Sequence, residues 1–395
     1  MLSPYTTTIF SLTAIRSALA LTATSWGEER LDVFGLYPLE KEYSEYWHKF
    51  YTPHGGWEPH HNKLESLAGP AINAEASYED VSSLSWGPDN LNLFATVDGI
   101  LSHIYWDPGE TEWMGWTDLG LDEDTYLKGA PATASRRPYT IDVVSRDPKG
   151  KYLHLYYYPN FDGDKWVGWE DPWNSPTTFE TDPIIIAPAE GHFDVFVGRL
   201  SNGTIVHVYW NGEQYSSWDQ LTWKAPEGGW KENSSLTAST WKDGSWDLWA
   251  LAEDGSLFHT FWRGAPANQF FPWENITDNI RFDQTPKAVH WSAGHTDLFG
   301  LSNGSYYHKY WAGDHWTAWD KFGSDFASPP EAVSWGEGHS AVFGIEAEGD
   351  LRVAMLVDNE WRDWEVLGDV TPEEERGRAG ESGEQVVLDS YKQGL

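Results

Sequence analysis

The chain has 395 residues, no cysteine and a formal net charge of −35. Such a charge disfavours nucleic acid, anionic membrane surfaces and sialylated or sulfated glycans, while neutral ligands meet no penalty. The lack of cysteine excludes disulfides, thiolate zinc sites and a cysteine nucleophile, and no apolar run reaches the ~18 residues of a membrane-spanning helix.

Residues 1–18 precede the regular part of the chain. The mildly apolar stretch from Thr8 to Thr24 contains Ala18-Leu19-Ala20, which resembles a cleavage site, but Arg16 interrupts it and no basic residue precedes it. It reads either as a leader or, from Ala18 to Trp26, as a first strand. The compartment, extracellular or cytoplasmic, stays open.

Residues 19–368 repeat one phrase of roughly 50 residues seven times, a period that points to a propeller, solenoid or array. Each copy has four short segments. The first ends in Ser-Trp-Gly or a relative, giving Trp26, Trp86, Trp241, Trp291 and Trp335. The second alternates, as in Leu31-Asp32-Val33-Phe34. A turn follows, such as Asp98-Gly99 or Asn303-Gly304, of the kind that closes β-hairpins. The third carries a histidine: His48, His103, His154, His207, His259 or His308. The fourth carries tryptophan, with pairs such as Trp113-Met114-Gly115-Trp116 and Trp316-Thr317-Ala318-Trp319. Four strands per unit, radially repeated, predict an all-β chain: a seven-bladed β-propeller with four-stranded antiparallel blades. Residues 369–395 are polar, begin Asp369-Val370-Thr371-Pro372, and read as an acidic disordered tail.

The recurring histidine invites a metal or catalytic role. Each copy, however, sets Asp32, Asn92, Asp142, Asp194, Asp247 or Asp297 on the strand beside it, so a buried hydrogen-bonded pair inside each blade is the simpler account. The seventh copy lacks both members and has Ala341 and Arg352. No Gly-x-Ser-x-Gly, His-Glu-x-x-His or phosphate-cradling loop occurs. Asp122-Glu123-Asp124 and Phe161-Asp162-Gly163-Asp164 read as solvated turns rather than calcium loops. No catalytic residue, metal or other cofactor is expected.

With 26 tryptophans, the chain has more indole than a core requires. Most of any such set packs blade against blade. A tryptophan beside a loop is different, because its face suits the apolar C–H face of a pyranose. A groove between blades would add polar groups for the hydroxyls, and repetition would add avidity.

These phrases resemble the seven-bladed PLL-type propeller lectins. The residues that carry the resemblance are Ser25-Trp26-Gly27, Leu31-Asp32-Val33-Phe34, Trp47-His48-Lys49 and, in the sixth copy, Tyr307-His308-Lys309-Tyr310-Trp311, and it covers about residues 19–368. It implies a non-enzymatic lectin that binds neutral glycans, fucosylated or O-methylated, between neighbouring blades. It implies sugar contacts at Trp26, Trp86, Trp241, Trp291 and Trp335, with fourth-strand partners Trp116, Trp273, Trp319 and Trp364. Ser135-Arg136-Arg137 and Ala187-Pro188-Ala189 replace Ser-Trp-Gly in the third and fourth copies, so sites needing that tryptophan should fail there. Two to five working sites are expected. A propeller scaffold for protein partners and a glycoside-acting enzyme are the alternatives.

Overall fold

The computed structural model describes residues 20–370 apart from 29, 38–44, 70–80, 121–125, 161–162, 174–178, 190–191, 198–199, 201–202, 221–225, 232–233, 242–243, 264–268 and 293. The leader reading, residues 371–395 of the expected tail and the acidic turn at 122–124 lie outside the described residues, while the first two residues expected in that tail belong to the fold: Asp369 ends a strand and Val370 is buried in a core cluster. Nothing described in the chain is helical. Among the described residues no helix is long and apolar enough to cross a membrane.

The described residues form seven antiparallel sheets of four or five strands, each built from strands consecutive in the chain. We call them blades 1 to 7. Blade 1 is typical, with Leu21–Gly27, Arg30–Tyr37, Glu45–Thr52 and Gly56–Glu58 in order, and a short extra strand Glu65–Ser66 beside the third. The first strands of the other blades are Val81–Leu84, Lys128–Ala134, Pro183–Ala189, Thr237–Thr240, Lys287–Ser292 and Glu331–Gly336. Each first strand touches the first strand of the next blade, and that of blade 7 returns to that of blade 1. The first strands therefore surround the axis, as in a propeller.

Alternation within the strands explains how the blades stack. In blade 1, Leu31 and Val33 point into the core shared with Phe343 and Ile345 of blade 7, while Phe34 and Leu36 point into the core shared with Leu91 and Leu93 of blade 2. Both faces are buried, so the second strands are apolar on both sides apart from the aspartate. The same division repeats around the ring in clusters shared by successive blades.

Local chemistry fits these elements. Asp98 and Gly99 have φ of 52° and 76°, and Asn303 and Gly304 have 49° and 71°, the left-handed pair of a tight hairpin turn. Gly300 and Gly344 follow the core Phe of their strands for another reason. A Cβ at Gly300 would stand 2.4 Å from the Phe282 ring, and one at Gly344 would stand 2.3 Å from the Tyr306 hydroxyl.

Candidate ligand sites

The histidines come first, because they sit where a catalytic or metal site would be sought. Strand register places Phe34, Phe94, Val144, Trp249 and Phe299 opposite His48, His103, His154, His259 and His308. The imidazole stacks on that neighbour where it is Phe, as for Phe94 and His103 at 4.4 Å, and its Nε2 reaches the preceding strand. His48 meets Asp32 at 2.8 Å, His154 meets Asp142 at 2.9 Å, and His259 meets Asp247 at 2.8 Å. His308 meets Asp297 in the same way, and His103 meets Asn92 at 3.0 Å. The expected buried pairs are therefore present in five blades. The side chain of Asp194, the expected partner of His207, lies outside the described residues.

The sequence did not disclose the second partner. In blades 1 and 5, Nδ1 is bound by a carboxylate, Glu65 at 2.6 Å and Glu274 at 2.8 Å. Burial opposes charge on His48 and His259, but the two carboxylates on each outweigh it and raise the pKa. His103 has only neutral Asn92 on its Nε2, and burial pushes its pKa down to about 3. The repeated histidine is a structural group whose pKa is raised in blades 1 and 5 and lowered in blade 2.

The fourth-strand tryptophans tie each blade to the one before it. The indole N–H of Trp116 donates to the Leu67 carbonyl at 3.0 Å, Trp169 to Leu119 at 2.7 Å, Trp319 to Ile276 at 3.1 Å, and Trp364 to Phe322 at 2.9 Å. Trp273 packs on Trp230, 4.8 Å away, in the core between blades 4 and 5. The first member of the pair sets its ring edge-on to the histidine of the preceding blade, as Trp113 does to His48 and Trp316 to His259. The Trp-x-x-Trp phrase is thus an inter-blade fastening. Trp319, expected as a fourth-strand partner in a sugar site, is 9% exposed. Trp116, Trp273 and Trp364 are half-buried in the same kind of setting.

The first-strand tryptophans divide. Trp241, Trp291 and Trp335 line one cavity of about 950 Å³, together with Ser25, Glu28 and Glu337. It lies where the first strands of blades 5, 6, 7 and 1 end, at the ring axis. The expectation of sites confined to blade boundaries did not foresee it. Trp335 lines the cavity while only 6% exposed. The glycine-rich segment after it packs against blade 1, with Glu28 over Gly336. Trp291 is half-buried, donates its N–H to Asp297, and has His295 stacked on it at 4.5 Å. Trp241 donates to Asp247 and lies 4.7 Å from the Arg263 guanidinium. Trp26 faces Arg30 at 4.8 Å, and Trp86 runs parallel to Tyr157 at 5.9 Å. In the third copy Arg136 replaces the tryptophan and binds the buried Asp142 through Nε at 2.7 Å.

A second cavity, of about 580 Å³, lies between the last blade and the first. Trp57 and Tyr51 come from blade 1; Met355, Val357, Arg362 and Glu365 come from blade 7. Trp57 Nε1 is buried and has no hydrogen-bond partner among the described residues. Among the described residues neither the Arg362 guanidinium nor the Glu365 carboxylate makes an ion pair. The loop at 59–63 that rims the groove is held by Lys49, whose ammonium donates to the carbonyls of Pro59, His61 and Lys63, each at 2.8 Å. Burial lowers the pKa of that ammonium to about 8. An aromatic face, an aliphatic wall, a donor and an acceptor thus meet at one blade boundary, with the Glu365 carboxylate also acting on the Lys49 ammonium. Trp57 sits on the fourth strand of blade 1. Arg362 recurs in no other copy, whereas Glu365 follows the second fourth-strand tryptophan as Glu170, Glu274 and Asp320 do.

With this geometry in hand, comparison with known proteins is informative. No protein-family model matches the chain, and no curated protein matches it. Solved structures do. The BP39L lectin from Burkholderia pseudomallei superposes with a TM-score of 0.70 at 17% identity, covering 89% of this chain and 99% of its own. The fucose-specific lectin from Aleuria aurantia gives 0.51 at 12% identity, covering 90% and 97%. AofleA from Arthrobotrys oligospora gives 0.52 at 13% identity, covering 74% and 87%. The chain has the fold of these propellers. At such identities the likeness is one of fold, and the ligand has to be argued from this chain's own residues.

Proposed function

We propose that the chain is a carbohydrate-binding lectin, a seven-bladed propeller that takes neutral glycans, fucosylated or O-methylated, at sites between its blades. The groove between blades 7 and 1 carries this reading. A pyranose needs an apolar face for its C–H side and paired donors and acceptors for its hydroxyls. Trp57 and Tyr51 supply the first, and Arg362 and Glu365 supply the second. Met355 and Val357 suit a methyl group, whether a 6-deoxy carbon or an O-methyl. Aromatic face contacts are worth about 0.5–1.5 kcal/mol beyond area burial. One such site binds weakly, so useful affinity requires several sites on one ring.

Trp241, Trp291 and Trp335 are the first-strand positions that we carry forward as further sugar contacts, because all three line the axial cavity. Trp26 and Trp86 are carried forward with one face already covered. The test is a glycan array read with the intact chain. A lectin binds neutral fucosylated or O-methylated glycans and is competed by free monosaccharide. A protein scaffold leaves every glycan unbound, and an enzyme turns over a chromogenic glycoside. Arg362→Ala should weaken binding at least about tenfold through loss of a charged hydrogen-bond donor, while the thermal melt stays put because this side chain holds no other group.

A further inference from the structure

Two blades carry a lysine directly after the third-strand histidine, and the two ammonium groups turn to different partners. Lys309 follows His308 in blade 6 and reaches back into blade 5, donating to the Ile276 carbonyl at 3.0 Å and to Asp278 Oδ2 at 2.7 Å. The same carbonyl accepts the N–H of Trp319, so lysine and indole close that boundary together. Lys49 follows His48 in blade 1 and is 0% exposed. Its ammonium stays within its own blade, on the carbonyls of Pro59, His61 and Lys63. The boundary behind it, toward blade 7, is the open groove, and Lys49 is part of the groove's wall.

Ile104, Leu155, Val208 and Thr260 stand at the same place in other blades. A buried ammonium costs more than any of these unless its bonds are used. Asp278 offsets the charge of Lys309. Glu58 and Glu365 act on Lys49 only from a distance, and Glu58 is itself paired with His60 at 3.1 Å. What the three bonds of Lys49 fix is the run from Pro59 to Lys63. His61 sits there at a φ of 62°, a region that disfavours a side chain, and its carbonyl is one of the three acceptors. His60, His61 and Asn62 from this run line the groove opposite Arg362 and Glu365. An ammonium has three N–H groups for three carbonyls, whereas the neutral amine has two, so loss of the proton leaves one carbonyl without its donor. Burial brings the pKa of Lys49 down to about 8, which puts that loss between pH 7 and 9.

We propose that Lys49 is the positioning residue of the groove between blades 7 and 1: its ammonium holds residues 59–63 in the shape that receives a neutral glycan, and loss of its proton releases the rim and weakens the ligand's hold. This deepens the lectin reading of the groove and rests on it. Lys49 acts through the backbone it binds and does not itself touch the sugar.

The test is calorimetric titration of the full chain with methyl α-L-fucoside at pH 7, 8 and 9, a ligand with no group that titrates in this range. The groove's share is the binding that Arg362→Ala removes. With a lysine that titrates at about 8, the protonated fraction falls from about 0.9 to about 0.1, so affinity at the groove should fall about tenfold from pH 7 to pH 9. Lys49→Met keeps the reach of the side chain without its N–H groups. It should bind at least about tenfold more weakly than the parent at pH 7 and show no dependence on pH across the range. Should that variant fail to fold, the profile of the parent still decides. Equal affinity of the parent's groove at pH 7 and 9 would overturn the proposal and leave the lectin reading standing. A folded Lys49→Met that keeps the parent's affinity or its pH dependence would do the same. A folded parent that takes no neutral glycoside at any of these pH values would overturn both.

Discussion

Blade 2 carries the pair whose charge state sets it apart, and Asn92→Asp is the substitution that tests the account of it. His103 is buried against the neutral Asn92, and its pKa falls to about 3. An unfolded histidine titrates near 6.5. The folded pKa is depressed, so stability is complete above about pH 6.5 and is lost as pH falls toward 3. Between pH 7.5 and pH 5 the unfolded chain takes up nearly one proton at this residue and the folded chain almost none. Over about 1.5 pH units below 6.5, at 1.36 kcal/mol per unit, the loss is about 2 kcal/mol. Asn92→Asp supplies one of the two carboxylates that together raise the pKa of His48 and His259. One carboxylate opposes the effect of burial on His103, so the acid loss there should shrink. The variant gives up the Asn92 amide's donation to Asn90 Oδ1 at 2.7 Å, a cost of about 1–3 kcal/mol at pH 7.5. That offset is common to both pH values and cancels in the comparison. Chemical denaturation of both proteins at pH 7.5 and 5 should show the variant losing less stability than the parent as pH falls, by up to about 2 kcal/mol. Parallel losses in the two proteins would refute the reasoning.

Two further outcomes follow from the fastenings. Trp364→Phe removes the N–H that reaches the Phe322 carbonyl and part of the core between blades 6 and 7, and denaturation should report a loss of about 2–4 kcal/mol. His308→Ala strands the buried Asp297 and should cost about 1–3 kcal/mol, with glycan binding on an array retained because the imidazole borders neither cavity.

The repeat made the fold legible because each copy wrote the same physical requirements in the same order. Alternation, left-handed hairpin turns at Asp98-Gly99 and Asn303-Gly304, and the aspartate–histidine pair are local, and local chemistry is visible in one sequence. The ligand sites were harder to read. Trp319 and Trp291 look alike in the sequence, yet one binds a carbonyl of the preceding blade and the other borders the axial cavity. What separates them is the packing of adjacent blades. Arg362 and Glu365 meet Trp57 across the boundary between the last blade and the first, about 300 residues apart in the chain, a junction that exists only once the ring is closed.

The most direct test of the lectin reading is calorimetric titration of the intact chain and of Arg362→Ala with methyl α-L-fucoside. The account predicts a dissociation constant on the order of millimolar per site for the parent and a clear weakening in the variant, with both proteins melting alike. Absence of binding by the folded parent to this or any other neutral glycoside would contradict it.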